Sequence, residues 1–280
     1  MRGSLRRTAL QLRAARQVAQ QSDGPWRERL GPLDPGVVFV IGSPRSGTTF
    51  LGRSLGALPG FVDLGEVLPL KAAIPELTAL PPHAAARRIR RYLDATRRLG
   101  LVGSRRAIEQ TPECVFVLEA IELAFPAARL VHIVRDGRDV VCSLLERGWL
   151  RAGKSGEDDA RNRFGAYPRF WVEPERRDEF ARVSDARRAA WAWRRYVTAG
   201  RERGSRAIEV RYERMVSDPA SVAAELALHL GARAEPLAGA LAAAHGASIG
   251  RYRRELSPGD LEDVLDEAGG LLEELGYLGG

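Results

Sequence analysis

The sequence predicts an α/β fold: a single domain on a central parallel sheet flanked by helices. Three observations predict it. The run Val37–Ile41 is continuously apolar and Leu130–Val134 is interrupted only by His132, the pattern of strands buried on both faces rather than alternating in and out. From Gly36 onward strand-like and helix-like stretches alternate, as successive βαβ units do. The chain of 280 residues contains no internal repeat or low-complexity linker in this region, a length that suits one sizeable core.

Residues 1–35 read as an N-terminal extension and 36–280 as the domain. Met1 to Gln21 is arginine-rich and lacks the apolar stretch of a secretory signal. Its leucines and alanines suit a short amphipathic helix, expected as a solvated, partly frayed extension, with peripheral contact to an anionic membrane surface as the alternative. The first strand, Val37–Ile41, ends in Gly42-Ser43-Pro44-Arg45-Ser46-Gly47-Thr48-Thr49, and an amphipathic helix follows from Phe50 to Leu58. Phe61–Glu66 reads as a short strand entering a loop, and His83–Leu99 as an exposed helix. Ala107–Gln110 is a strand that stops before Thr111-Pro112. Val115–Phe125 is a helix ended by Pro126. Arg129–Val134 is the second strong strand, with a helix over Gly137–Glu146. Ala186–Gly204 reads as a helix, Ala207–Arg211 as a strand, and three helices are expected between Pro219 and Gly276. Residues 149–180 have no clear period but carry Phe164, Tyr167, Phe170 and Trp171. Such a segment reads as a lid over an acceptor site or as a variable surface excursion.

Composition narrows the function classes. Lys and Arg number 43 against 36 Asp and Glu, a net charge of +7. No basic tract interleaved with aromatics and no zinc-finger or RNA-binding signature is present, so nucleic acid is not the expected partner. The arginines fall in helical segments such as Arg87–Arg91 and Arg194-Arg195, which reads as solvated faces. Two cysteines, Cys114 and Cys142, are too few for a disulfide framework, and the expectation is a reducing cytoplasm. No stretch reaches the length of a membrane span, and no His/Cys/Asp cluster has metal-ligand spacing, so no metal is expected.

Chemistry concentrates in the loop after the first strand. Gly42 and Gly47 let the backbone turn and approach a ligand, and the following helix start offers free N–H groups and a positive dipole end. A nucleoside-triphosphate loop would place lysine before its Ser/Thr; here that position is Thr48, and Arg45 supplies the cation instead. Ser43 to Thr49 resembles the 5′-phosphosulfate loop of the sulfotransferases that use 3′-phosphoadenosine 5′-phosphosulfate (PAPS). A second segment strengthens the resemblance. The strand ending at Val134 runs into Arg135, and Ser143 lies eight positions on, about two turns into the next helix. An aspartate would be usual there in a triphosphate hydrolase, whereas an arginine fork with a serine hydroxyl suits an anion. The pair resembles the 3′-phosphate motif of the same family. Arg138, with Asp136 and Asp139, reads instead as a salt-bridged helix N-terminus.

The resemblance implies a P-loop, nucleotide-kinase-like sulfotransferase fold, and in-line transfer of a sulfuryl group from PAPS to a hydroxyl acceptor with release of 3′-phosphoadenosine 5′-phosphate (PAP). The acceptor would be a small molecule, a glycan or a lipid. The resemblance assigns donor binding to Arg45, Ser46, Gly47, Thr48, Thr49, Phe50, Arg135, Ser143 and Tyr212, and to Arg251 in a basic C-terminal segment. Gly65-Glu66 is similar to the Gly-Glu of the bacterial and tyrosylprotein-sulfotransferase branch, which makes Glu66 the expected base and Arg45 its partner at the transferring group. Glu109-Gln110-Thr111-Pro112 departs from the family's Lys-Thr strand end. Gln110 leaves the lysine's role to Arg45, Lys71 or a C-terminal arginine. His132, inside a strand, reads as a packed residue. Two other readings remain: a nucleotide or small-molecule kinase on the related fold, which Thr48 disfavours, and a PAP- or PAPS-binding protein without catalysis, which Gln110 makes conceivable.

Overall fold

The computed structural model describes residues 2–21, 29–151, 155–160, 162–164, 172–202 and 206–279. Among the described residues seven strands run in chain order: β1 (Val37–Gly42), β2 (Phe61–Asp63), β3 (Arg106–Glu109), β4 (Arg129–Val134), β5 (Gly156–Glu157), β6 (Arg163–Phe164) and β7 (Ala207–Arg211). Five form one parallel sheet in the order β2-β3-β1-β4-β7, and β5 and β6 form a separate antiparallel hairpin. β1 is buried along its whole length. Its alternate residues serve opposite faces: Phe39 and Ile41 enter a core with Trp191 and Trp193, while Val38 and Val40 enter a second core with Leu51, Leu55 and Met215. That is the period of two expected of a strand covered on both sides. After β1 the chain crosses to one side of the sheet, and after β4 to the other. The β1–β4 boundary is therefore a switch point, where a crevice opens at the strands' C-terminal ends.

The helices are α1 (Arg2–Gln21), α2 (Thr48–Gly56), α3 (Leu68–Leu77), α4 (Pro82–Leu99), α5 (Leu118–Ala124), α6 (Gly137–Arg147), α7 (Arg177–Arg182), α8 (Asp185–Glu202), α9 (Tyr212–Ser217), α10 (Pro219–Leu230), α11 (Ala234–Leu241), α12 (Tyr252–Glu255) and α13 (Pro258–Glu274). All five sheet strands stand where the apolar runs predict them. The expected helix at Val115 begins instead as a 3-10 turn, Pro112–Val117, before α5. Four helices rather than three lie between Pro219 and Gly276. The last three residues before Arg206, including Gly204 of the expected helix, lie outside the described residues.

Two elements depart further from the sequence reading. α1 is a packed helix rather than a solvated extension: Leu10, Ala14, Ala15 and Val18 are buried. Their helical spacing makes one narrow stripe, and Gln11 Nε2 donates to Thr96 Oγ1 on α4 at 2.6 Å. α3 was not expected, because Pro69 and Pro75 both fall inside it. Pro69 occupies the first turn, where its missing N–H has no partner to lose. Pro75 leaves the carbonyl of Lys71 without its helical donor; Asn162 Nδ2, from the β5–β6 hairpin, donates to that carbonyl at 3.2 Å.

The arginines are only partly solvated. Arg87, Arg88, Arg90 and Arg91 are exposed as expected, but Arg97 and Arg188 are buried. Arg188 donates to the carbonyls of Leu150 and Phe180 and to Asp185. Two titratable side chains flank β1 inside the sheet: Glu109 on β3, in register with Phe39, and His132 on β4, in register with Ile41. His132 is packed, as its strand position suggests. A Cβ at Gly200 of α8 would stand 2.6 Å from its Nε2, so only glycine lets the helix close on the ring. Burial, then Arg201 and Arg211, push His132 down to about 4; Glu209 Oε2 stands 4.0 Å from its Nδ1. No described helix is long and apolar enough to cross a membrane.

Candidate active site

The loop after β1 is shaped by three positive φ angles: Gly42 at 151°, Arg45 at 73° and Gly47 at 100°. Gly47 cannot be replaced cheaply, because a Cβ there would lie 2.8 Å from the Tyr212 ring. Ser46 N donates to Ser43 O at 3.1 Å, closing the turn, and α2 begins at Thr48. The left-handed backbone at Arg45 costs on the order of 1–2 kcal/mol. Its side chain reaches α6, where Nε donates to Ser143 Oγ at 2.9 Å. Thr48 is buried, Thr49 is exposed, and Phe50 packs partly buried against the core containing Leu51.

At the end of β4, Arg135 is 6% exposed. It donates to Ser248 O at 2.6 Å and to Arg45 O at 3.4 Å, and its guanidinium stands 4.6 Å from the Tyr212 ring centre. Trp193 Nε1 donates to the Arg135 carbonyl at 3.1 Å, fixing the strand end from the α8 side. Tyr212 Oη donates to His245 O at 2.9 Å. Asp139 accepts from the backbone N–H of Gly250 and Tyr252, which ties the basic C-terminal segment to α6. Arg251 lies at this end too, but its guanidinium is committed to Glu146 and Glu255. Arg138 pairs with Asp136 at 2.7 Å, the helix-terminus role that the sequence suggests.

The structure thus gathers Arg45, Ser46, Gly47, Thr48, Arg135, Ser143 and Tyr212 at the β1–β4 switch point. Two buried polar atoms there, Ser46 Oγ and Arg135 Nε, have no hydrogen-bond partner. Burial and then Arg147 pull the Arg45 guanidinium below its ordinary value, against Glu146. Unpaired donors beside crowded cations are what a phosphate-bearing nucleotide would complete, so the donor set fits a PAPS-like ligand.

Beyond Pro44 and Thr49 the crevice opens into a cavity of about 560 Å³. The sequence-predicted Glu66 lines it, with Oε2 2.6 Å from Lys71 Nζ. Burial pushes the Glu66 carboxyl up, against the pull of Lys71. Burial alone would lower Lys71, but Glu113, Glu66 and Asp159 outweigh it and raise the ammonium's value. Asp159 Oδ1 accepts from Lys71 at 2.8 Å. Gln110 also lines the cavity; its Nε2 donates to Asp63 Oδ1 at 3.2 Å and its Oε1 is buried without a partner. Behind it Glu109 accepts from the N–H of Val67 and Thr111, the Thr111 hydroxyl and the Cys114 thiol, while burial pushes it up to about 7.

Sequence reasoning named Lys71 only as one of three substitutes for the family lysine. It missed the cavity's α1 wall (Arg13, Gln17); the hairpin wall falls within the 149–180 segment read as a lid or surface excursion, but its carboxylates Glu157, Asp158 and Asp159 were not singled out. The stripe at Leu10, Ala14 and Val18 was a usable signal for α1; the hairpin has none, since its run lacks periodicity. Tyr167, Phe170, Trp171 and the side chain of Phe164 lie outside the described residues.

Comparison with known proteins adds the following. The profile described as "Sulfotransferase family" matches residues 80–236. The sulfotransferase domain from the curacin biosynthetic pathway is 17% identical, with a TM-score of 0.50 over 87% of this chain and 98% of that one. The sulfotransferase domain of the Synechococcus PCC 7002 olefin synthase is 19% identical, with a TM-score of 0.50 over 89% and 98% of the two chains. A sulfotransferase from Mycobacterium avium is 17% identical, with a TM-score of 0.51 over 89% and 79%. At these identities the likeness bears on the fold, which is that of the sulfotransferases. No curated protein matches the chain.

Proposed function

The chain belongs to the sulfotransferase family, and we propose that it moves the sulfuryl group of PAPS to a hydroxyl acceptor by in-line transfer, releasing PAP. The observation that carries this reading is the meeting of the phosphate loop with Arg135 and Ser143, through the 2.9 Å bond from Arg45 to Ser143. Two anion-binding segments about ninety residues apart in sequence form one crevice, as a ligand phosphorylated at both ends of its nucleoside requires. When bound, the donor supplies the activated sulfuryl group; the chain's residues position it and neutralise charge.

In this reading the loop N–H groups, Ser46 and Thr48 hold the 5′ end, Thr49 faces the transferring group, and Arg45 balances charge on it. Arg135 and Ser143 hold the 3′-phosphate, Tyr212 and Phe50 border the base, and Arg251 closes the C-terminal side. Glu66 takes the acceptor proton as the new S–O bond forms and the bond to the departing PAP breaks. Its elevated carboxyl value brings it nearer working pH and makes it a stronger base. Lys71 steadies Glu66, and the missing family lysine's role at the transferring group is left to Arg45. A kinase reading is disfavoured by Thr48 in place of the phosphate-loop lysine.

The test is a thermal-shift titration. PAP and PAPS should stabilise the protein by about 2.7 kcal/mol at a hundredfold excess over Kd, with ATP far weaker at the same concentration. Equal or greater stabilisation by ATP overturns the reading.

A further inference from the structure

We propose that the acceptor is a hydroxyl compound of small-molecule size that also carries an amine, an organic cation. The inference rests on the sulfotransfer reading above and names the substrate class of that site. A cavity of about 560 Å³ is of the size that encloses most of a small ligand.

Its wall carries six carboxylates, Asp63, Glu66, Glu113, Glu157, Asp158 and Asp159, against three cations, Arg13, Arg53 and Lys71. The chain as a whole has the opposite balance, with 43 basic residues against 36 acidic. The inversion is local. On the donor side of Pro44 and Thr49 stand Arg45 and Arg135, and on the acceptor side the carboxylates dominate. Charge is thus divided between the two halves of one crevice, and each half favours a ligand of the opposite sign.

Lys71, the cation nearest the proposed base, is already held by Glu66 at 2.6 Å and Asp159 at 2.8 Å. It does not offer an anionic acceptor a binding partner. The carboxylates also do not converge as metal ligands: among the described residues no group of three or more His, Cys, Asp or Glu could hold a metal ion. Spread around a cavity that also contains Trp149, they suit a cation with an organic body, since an indole ring attracts both.

The experiment measures binding by calorimetry to the full chain, with and without saturating PAP, at low salt. Two matched series are used: tyramine, para-ethylphenol and para-hydroxyphenylpropionate, then aminohexanol, hexanol and hydroxyhexanoate. In at least one series the amine should bind about tenfold tighter than the neutral compound, with the carboxylate weakest. That preference should shrink several-fold in the variant Glu157→Gln with Asp158→Asn, and again at high salt. PAP affinity should be unchanged in the variant. Neutral or anionic compounds binding as well as the amine in both series overturn the proposal, as does no measurable amine binding at millimolar concentration. A preference undiminished in the double variant does so too. Failure of PAP to bind is a different outcome: it sinks the sulfotransfer reading, while amine selectivity is still read from the titrations without PAP.

Discussion

Glu66 and Lys71 show how much of the chemistry turns on single contacts. At 2.6 Å the ammonium holds the carboxylate in one orientation, while burial raises its proton affinity. Glu66→Gln keeps the shape and removes the basicity. Transfer to an alcohol should fall by roughly 10²- to 10⁴-fold, with PAP affinity nearly intact because the residue stands apart from Arg45 and Arg135. Single-turnover rates of variant and wild type check this, and a rate within threefold of wild type would place the base elsewhere. At this scale the meeting of the residues proposed to hold the donor was legible, because Arg135 and Ser143 are tied by local helical spacing and the loop by consecutive residues. Lys71 was not assigned beyond a shortlist. Its role depends on Asp159, 88 positions away, and no local pattern encodes that contact.

Among the elements, the β5–β6 hairpin depends on a proline in another element. Pro75 frees the Lys71 carbonyl, and Asn162 claims it at 3.2 Å. Asn162 N also donates to Asp158 Oδ1, and Asp158 N to Asn162 O, so one side chain joins hairpin to helix. Asn162→Ala leaves a buried carbonyl unsatisfied, which costs about 1–3 kcal/mol. The expected outcome is faster hydrogen exchange at the Asp158 amide and a several-fold higher KM for the acceptor, with PAP affinity unchanged. Unaltered exchange would show that the hairpin is held by something else. Helical and strand periods made α2, α4, α6, α8 and the sheet strands readable. α3 was hidden because a proline inside a helix argues against it unless the orphaned carbonyl finds a distant donor. The stripe on α1 was visible, but not the surface of α4 that receives it.

Across the whole molecule, the position of the candidate site follows from a few local signals: two apolar runs, each ending in a turn that carries an arginine, become neighbours at the switch point. What the sequence left unread is long-range by nature, namely which buried groups meet once the sheet closes. Glu109 and His132, on either side of β1, give that closure a thermodynamic signature. Folded, Glu109 holds its proton to about 7 rather than 4.5. Between those values the unfolded chain has released a proton that the folded chain keeps, so stability falls as pH rises. His132 behaves oppositely: it protonates at about 4 when folded against 6.5 otherwise, so stability rises with pH across that window. Each displacement is worth on the order of 3 kcal/mol at about 1.36 kcal/mol per pH unit, and from 4.5 to 6.5 the two slopes cancel. Denaturant titrations over a pH series would separate them. Relative to wild type, His132→Gln should lose about 3 kcal/mol between pH 4 and 6.5, and Glu109→Gln should gain a similar amount between 4.5 and 7. Difference curves that stay level would remove the linkage. If they slope as expected, the contributions of Glu109 and His132 oppose each other in mild acid, and either substitution alone uncovers the pH dependence that the other had offset.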